Sequence, residues 1–184
     1  MAYSSITKPT DYFNSVLYTG DDTAIGSGGN AITGVGFQPD FVWIKRRTSD
    51  AAHHAWYDIV RGTTKQLGSS QNSAETTQSE GLTTFGTDGF TVGSLGRVNE
   101  GGGYTYVAWN WKAGGSASSN SNGDITSSVS ASTTAGFSIV SWTGNGGSSL
   151  AVTGVGFQPD WVWVKSRSDT EQHALWDSVR GGSK

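Results

Sequence analysis

Residue types that carry thiol or imidazole chemistry are scarce in this chain of 184 residues. It has no cysteine, which excludes a disulfide framework and a thiolate zinc site, so stability has to come from packing or from association with other chains. Three histidines are too few to favour a histidine-based metal site. We therefore predict a protein with no metal and no other cofactor.

Long apolar segments are also missing. Residues 1–9 have neither the charged region nor the apolar region of a signal peptide. No apolar stretch approaches the roughly 18 residues that a membrane span requires. These features predict a protein without membrane insertion.

Positive charge is in short supply. The chain has 12 Lys and Arg against 15 Asp and Glu, which gives a net charge of -3 at pH 7 and a pI near 5.5. Binding to phosphates requires a basic surface that displaces counterions, and the Lys45-Arg46-Arg47 cluster is too small to provide one. We predict no nucleic-acid partner.

The common catalytic motifs do not occur. The sequence contains no nucleophile elbow, no phosphate-binding P-loop, no HExxH zinc motif and no EF-hand loop. We expect a protein that is not an enzyme.

Glycine and aromatic residues are abundant, with 27 Gly, 8 Trp, 6 Tyr and 7 Phe. The glycines interrupt the chain every few positions and leave little room for a helix of about 11 residues. Aromatic side chains bury roughly 150 to 250 Å² each, so they can build a core in a chain of modest hydrophobic content. Short strands divided by turns then predict an all-β fold, an antiparallel β-sandwich of the jelly-roll or lectin-like kind.

An internal repeat is the strongest signal in the sequence. Residues 31–40 read AITGVGFQPD and residues 151–160 read AVTGVGFQPD. Two more segments recur in the same order, residues 13–20 at 137–144 and residues 54–62 at 173–181. The chain is therefore predicted to hold one complete copy of a β-sandwich repeat and a partial second copy.

The copies divide the chain into three parts. Residues 1–113 form the first repeat with an N-terminal segment, residues 114–135 a flexible Ser/Gly-rich linker that can include the first strand of the next unit, and residues 136–184 a truncated second repeat. The second copy lacks a counterpart of the aromatic strand 104–111. A half sandwich would leave strand edges unpaired, so we expect the polypeptide to continue beyond Lys184.

One apolar run is shared by both copies. Residues 41–45 follow the turn signal Gln38-Pro39-Asp40 and predict a central strand that is buried on both faces. Trp43 and its counterpart Trp163 sit in the middle of this run, so we predict that both are buried in the core. Trp56 is expected to lie nearer a loop and to tolerate truncation better.

Further strands follow from alternation and turn signals. Residues 104–111 show the clearest alternation of side chains, and Asp88-Gly89 predicts a hairpin between residues 82–85 and 90–93. Residues 55–60 are too short for a helix and are predicted as a strand, and residues 124–132 are predicted to open the second unit.

One polar and aromatic group is the candidate ligand-binding site, because part of it recurs in the second copy: His53, His54, Trp56, Tyr57, Asp58 and Arg61. An acid/base role and stacking of the aromatic rings on sugars are both compatible with these residue types. A structural role is the favoured interpretation, because Asp paired with His or Arg commonly satisfies polar groups at the edge of a β core. No catalytic residue is predicted.

The chain resembles an uncharacterised repeat of tailed-phage virion proteins, found most often in marine podovirus or cyanophage types. The resemblance rests on residues 34–45, 54–62, 82–93 and 106–115, and on residues 12–20 and 134–140. It implies a place in a virion appendage such as a tail or head fibre, often ahead of a lectin-like sandwich domain. It implies no catalytic residues.

The expected function is that of a non-enzymatic virion structural protein in a tail or head fibre or spike, with a role in attachment or host adhesion. Its expected partners are copies of itself in a homotrimer, other virion proteins, and a host glycan or receptor bound by a part beyond Lys184. It would be assembled in the host cytoplasm and located in the virion. The alternatives are a carbohydrate-binding module or capsid decoration protein and, less favoured, a depolymerase of envelope polysaccharide.

Overall fold

The computed structural model describes residues 6–48, 52–147 and 149–181. Their regular secondary structure is almost all β, and the antiparallel sheets form a sandwich-like fold that does not close into a barrel. The predicted all-β antiparallel sandwich, with one complete copy and a partial second one, is confirmed. The strands are β1 (Phe13–Thr19), β2 (Asn30–Ile32), β3 (Phe41–Arg46), β4 (Ala55–Asp58), β5 (Gly62–Leu67), β6 (Thr76–Thr77), β7 (Leu82–Gly86), β8 (Gly89–Val92), β9 (Thr105–Trp111), β10 (Ser118–Asn120), β11 (Ser127–Ser132), β12 (Phe137–Trp142), β13 (Trp161–Val164) and β14 (Ala174–Asp177).

Helical structure is brief in the described part of the chain. It consists of two 3₁₀ turns, Pro9–Asp11 and Ile25–Ser27, and one helical turn, α1 (Gly96–Asn99). None of the helices in the described ranges is long and apolar enough to cross a membrane.

Residues up to 113, here called the first unit, form two packed sheets. The larger has six strands in the order β1-β9-β3-β4-β5-β6, and the smaller has three in the order β2-β8-β7. Strand β9 is late in the sequence but pairs with both β1 and β3. The first unit is therefore closed by contacts between its two ends.

The core lies between the two sheets. Alternate residues of β3 and β9 point into it, and Val42, Ile44, Tyr106 and Ala108 are fully buried. They pack with apolar residues of the smaller sheet, such as Phe90. The side chains at the intervening positions of β3 and β9 lie on the opposite face of the six-stranded sheet, here called the outer face.

The predicted hairpin at Asp88-Gly89 is confirmed by strands β7 and β8. The Asp88 carboxylate also accepts hydrogen bonds from the backbone N–H groups of Gly34 and Gly36, at 3.0 and 2.6 Å. Both glycines have a φ of +88°, which L side chains rarely adopt. The repeated TGVG sequence thus forms a loop that is anchored on this hairpin turn.

Residues 137–181, here called the second unit, keep part of the same architecture. Strands β13 and β14 pair in the register of β3 and β4, so that Trp163 lies opposite Leu175 as Trp43 lies opposite Trp56. Strand β12, the counterpart of β1, pairs with β11. The predicted strand at 124–132 is confirmed by β11.

The segment between the units is more ordered than its composition predicts. It contains β10 as well as β11, and the Asp40 carboxylate accepts hydrogen bonds from the backbone N–H groups of Ala113 and Gly115, at 2.7 and 3.1 Å. Gly114 donates to the Ser130 hydroxyl at 3.0 Å. Backbone hydrogen bonds therefore fix the start of this segment to the first unit.

Candidate functional site

The outer face of the six-stranded sheet carries a row of three tryptophans. Register places Trp109, Trp43 and Trp56 side by side on β9, β3 and β4. The ring centroids of Trp43 lie 5.3 Å from Trp109 and 6.1 Å from Trp56, in tilted and edge-to-face geometry. Such arrangements match the electrostatics of aromatic rings and stabilise the row beyond the area it buries.

A second aromatic row runs parallel to the first. Phe13, Trp111 and Phe41 lie opposite one another on β1, β9 and β3. Their centroid separations are 4.8 Å for Phe13 and Trp111 and 5.4 Å for Trp111 and Phe41. The outer face therefore carries two adjacent rows of aromatic side chains that form one continuous surface.

Part of this surface is covered by the second unit. Trp163 packs on Trp56 with ring centroids 4.2 Å apart and on Trp43 at 5.8 Å. Phe137 packs on Phe41 and on Trp111, at 6.1 Å from each. Trp43 and Trp163 occupy equivalent positions in the repeat, so equivalent surfaces of the two units meet.

Polar contacts border the aromatic ones. The Glu75 carboxylate accepts from Nε and Nη2 of Arg167 in the second unit, both at 2.9 Å, and from Nη1 of Arg61 in the first, at 3.0 Å. The Glu75 backbone N–H donates to the Arg167 carbonyl at 2.8 Å. Burial raises the pKa of Glu75, but the bonds from Arg167 and Arg61 outweigh it and the pKa is lowered.

A tryptophan–histidine pair recurs in both units. The indole Nε1 of Trp43 donates to Nδ1 of His54 at 2.9 Å, and Nε1 of Trp163 donates to Nδ1 of His173 at 2.8 Å. An indole N–H only donates, so each Nδ1 must be unprotonated. His173 Nε2 lies 3.1 Å from the carbonyl oxygens of Gly68 and Gln71, which gives its remaining N–H acceptors in the first unit.

The pair at Trp43 predicts a pH dependence of stability. Burial, followed by the charges of Lys45 and His53, lowers the pKa of His54 below its ordinary 6.5. Because the folded pKa is the lower one, the pair stabilises fully above about pH 6.5, and this contribution is lost as the pH falls through the folded pKa. We expect the melting temperature to fall on acidification from about pH 7.5 to 5.

A matched variant isolates the contribution of His54. His54→Gln keeps an acceptor for the Trp43 indole but does not titrate, so its melting temperature should fall less over the same pH range. Identical pH profiles for the two proteins, measured by thermal denaturation, would contradict the assignment.

The structure separates the six candidate residues predicted from the sequence. His54 and Trp56 lie on the outer face beside Trp43. Tyr57 is fully buried on the core side, where its hydroxyl donates to Gln66 Oε1 at 2.7 Å. His53 is exposed and lies near Ser70.

Asp58 and Arg61 form a clamp across the turn between β4 and β5. The Asp58 carboxylate accepts from the backbone N–H of Arg61 at 2.9 Å and from its Nε at 2.5 Å. The guanidinium also donates to the carbonyls of Lys65 and Trp56. Both side chains are almost wholly buried, so this pair satisfies backbone and charge within the fold, and Asp177 and Arg180 repeat the bonds between carboxylate and arginine.

The burial of the tryptophans differs from the sequence prediction. Trp43 and Trp163 are half-buried, not enclosed in the core, because alternation on β3 gives the core side to Val42 and Ile44. Trp56, predicted to lie nearer a loop, is 6% exposed, because Trp163 covers it. The predicted central position of β3 is confirmed, but only one of its faces is fully buried.

Sequence reasoning did not identify the contact between the units. Two of its members on the second unit, Phe137 and Trp163, were recognised as repeated residues without a partner. Glu75 carried no signal, because its part of the repeat has no counterpart in the second copy. The alternation of Trp109 with Trp111 and of Trp161 with Trp163 along their strands was the one available indication.

No group of three or more His, Cys, Asp or Glu side chains that could hold a metal ion occurs within residues 6–48, 52–147 and 149–181.

The comparisons with known proteins give a family and no function. No curated protein and no solved structure matches the chain. The model of a family described as a domain of unknown function, DUF7483, matches residues 8–153 and again residues 147–184. Since these matches extend from residue 8 to residue 184, the chain belongs to this family.

Proposed function

We propose that this chain is a non-enzymatic structural protein of a phage virion, a repeat-built part of a tail or head fibre or spike that serves attachment or host adhesion. One observation carries the proposal: the aromatic outer face of the first unit is covered by the equivalent face of the second. Aromatic residues that could bind a ligand hold the two units together instead. The sequence resemblance to virion repeats suggests the location.

The contact between the units is of the kind that would join repeats into a fibre under mechanical load. Trp163 fills the space over Trp43 and Trp56, and the two-bond ion pair of Arg167 with Glu75 borders it. In repeat proteins, contacts between neighbouring units add to the stability of each unit. A chain of such units would form a rod without disulfides.

The polar candidate cluster supports a non-enzymatic role. Asp58 and Arg61 are nearly saturated by bonds within the fold, and Tyr57 is enclosed in the core. A general acid or base needs a reachable proton site, and these buried groups offer none to a substrate.

Exposed apolar side chains on β1 support association with further copies. Leu17 is 65% exposed and Phe13 is 39% exposed. Both lie at the edge of the outer face that the second unit leaves uncovered. A homotrimer, the expected state of a fibre, would cover such residues with neighbouring chains.

The test is location together with oligomeric state. Labelled antibodies against this chain should decorate a tail or head appendage of intact virions, and light scattering of the intact protein should give the mass of a trimer. A monodisperse monomer would overturn the trimer, and absence of labelling from virions would overturn the virion role.

A carbohydrate-binding module is the second candidate, favoured by two open indole rings. Trp161 and Trp142 are 55% and 37% exposed, and exposed tryptophans can stack on sugar rings. Glycan arrays probed with the intact protein and with Trp161→Ala would test it. Binding lost in the variant supports the candidate, and the absence of binding by the intact protein removes it.

A further inference from the structure

The three histidines of the chain all lie around one loop of the first unit, residues 68–71, which lies between β5 and β6. The Ser70 hydroxyl accepts a hydrogen bond from the His54 backbone N–H at 3.1 Å and lies 3.3 Å from Nδ1 of His53. Nε2 of His173, which belongs to the second unit, lies 3.1 Å from two carbonyl oxygens of the same loop. Side chains that change charge between about pH 5 and 8 are thus concentrated where the two units meet.

His173 is held at both ring nitrogens. Its Nδ1 accepts from the indole N–H of Trp163 at 2.8 Å, and its Nε2 faces the carbonyl oxygens of Gly68 and Gln71, which only accept. The contact therefore requires a proton on Nε2 and none on Nδ1. A second proton would place the Nδ1–H of the imidazolium against the indole N–H, with two donors and no acceptor between them. Turning the ring to separate these donors would also take Nε2 away from the first unit.

His54 has the same arrangement in the first unit, beside the second. Its Nδ1 accepts from the indole N–H of Trp43 at 2.9 Å, and Trp163 of the second unit packs on the Trp43 ring. Burial lowers the pKa of His54, and the positive charges of Lys45 and His53 add to this effect. A proton on Nδ1 would break the bond that orients the ring on which the second unit packs. Protonation of His54 and docking of the second unit therefore oppose each other.

The acidic side chains near the contact are already engaged. Both carboxylate oxygens of Glu75 accept hydrogen bonds from arginines. In the second unit, the negative charges of Asp169 and Glu171 act on Lys165, whose pKa is lowered because burial outweighs them. Within the described ranges, no carboxylate forms an ion pair with a histidine. An imidazolium in the contact would thus gain no counter-charge from these residues.

We infer that His173 and His54 form an acid-sensitive latch, which holds the second unit on the outer face near neutral pH and releases it on acidification. Both histidines must lack a proton on Nδ1 in the contact, whereas the released histidines can take one up, so a fall in pH favours the released state. Protonated histidines at interfaces drive conformational changes in other pH sensors. Release would uncover Trp43 and Trp56. The latch goes beyond the proposed virion role and does not depend on it.

The test measures the distance between the units by pulsed electron paramagnetic resonance. Because the chain has no cysteine, Thr84→Cys and Val179→Cys introduce the only two positions that take spin labels. Both positions are exposed, Thr84 on β7 of the smaller sheet and Val179 in the second unit. We expect one narrow distance at pH 7.5 and a broad distribution at pH 5 that reverses on neutralisation. The far-UV circular dichroism should not change. The narrow and broad fractions give the docking equilibrium.

The steepness of the pH dependence counts the histidines. Docking should weaken by up to about tenfold per pH unit for each histidine that must lose its proton, and thus by up to about a hundredfold for two. His173→Gln and His54→Gln keep an acceptor for the indole but do not titrate, so each should reduce the dependence to about tenfold. The double variant should stay docked down to pH 5. His53→Gln is the matched control and should behave like the wild-type protein, because His53 is exposed and bonds no tryptophan.

Titration of the histidine rings, followed by nuclear magnetic resonance in the wild-type protein, tests the latch without a variant that could fail to dock. The His54 and His173 rings should take up protons at the pH at which the distance broadens. Protonation of both rings with the narrow distance retained would overturn the latch, as would release with both rings neutral. Variants with the pH dependence of the wild type would also overturn it. Loss of the far-UV signal together with the narrow distance would show acid unfolding and contradict a release of folded units.

Discussion

Trp56→Ala should lower the stability of the first unit by about 3 to 5 kcal/mol, the usual cost of emptying a large aromatic site. Trp56 is 6% exposed, and its ring contacts Trp43 on its own sheet and Trp163 and His173 of the second unit. Both the packing of the outer face and the contact between the units are lost. Urea denaturation followed by circular dichroism measures the change.

Leu175 is the matched control, because it is the repeat equivalent of Trp56 but is 49% exposed. Leu175→Ala should cost well under half as much, since most of its side chain remains in water in the wild-type protein. Trp56→Phe tests the shape of the ring alone. The indole N–H that it removes is buried without a partner among the described residues, so no hydrogen bond is lost. A Trp56→Ala protein as stable as wild type would contradict the packing.

Asp58→Ala should also destabilise the protein by about 3 to 5 kcal/mol, because it leaves the buried Arg61 guanidinium without its nearest counter-charge. The Arg61 and Asp58 side chains are 6% and 5% exposed. Glu75 retains one bond to Arg61, which places the expected loss toward the lower end of the range. Chemical denaturation measures the change.

The same clamp in the second unit provides the control. Arg180 and Asp177 repeat the geometry, but the Arg180 side chain is 66% exposed. Exposed ion pairs are weakened by water and salt, so Asp177→Ala should shift the unfolding midpoint little. Equal losses from Asp58→Ala and Asp177→Ala would show that burial does not determine the strength of the clamp.

The fold was predictable from the sequence to the extent that its signals are local. Glycine spacing and the alternation of residues 104–111 predicted the strands, and Asp88-Gly89 predicted the hairpin between β7 and β8. These signals act over a few residues. The pairing of β9 with both β1 and β3 joins residues 60 to 98 positions apart, and no local pattern reports it.

The site was harder to predict because alternation does not say which face is the core. On β3 the apolar run 41–45 has large side chains on both faces, and the smaller Val42 and Ile44 face the core. Trp43 and Trp163 were assigned to the core because they lie in the middle of an apolar run, whereas in the structure they pack against each other between the two units. A contact between repeats depends on the assembled arrangement, so a single strand pattern cannot reveal it.

Recurrence in the sequence also grouped candidate residues that lie in different parts of the fold. His54 recurs as His173 because each bonds a tryptophan, whereas Trp56 is replaced by Leu175. Asp58 and Arg61 recur for the turn clamp. All four residues are close in sequence because they lie on strand β4 or next to it. Recurrence in the sequence marked structural importance and could not separate these two roles.

The central claim is that the aromatic outer face holds the two units together, and a double-mutant cycle on Trp56 and Trp163 tests it most directly. The unfolding free energies of Trp56→Ala, Trp163→Ala and the double variant are compared with that of the intact chain. Rings 4.2 Å apart in contact predict a coupling energy of about 0.5 to 3 kcal/mol. Additive effects, within about 0.5 kcal/mol, would contradict the contact and return the outer face to the role of an open ligand surface.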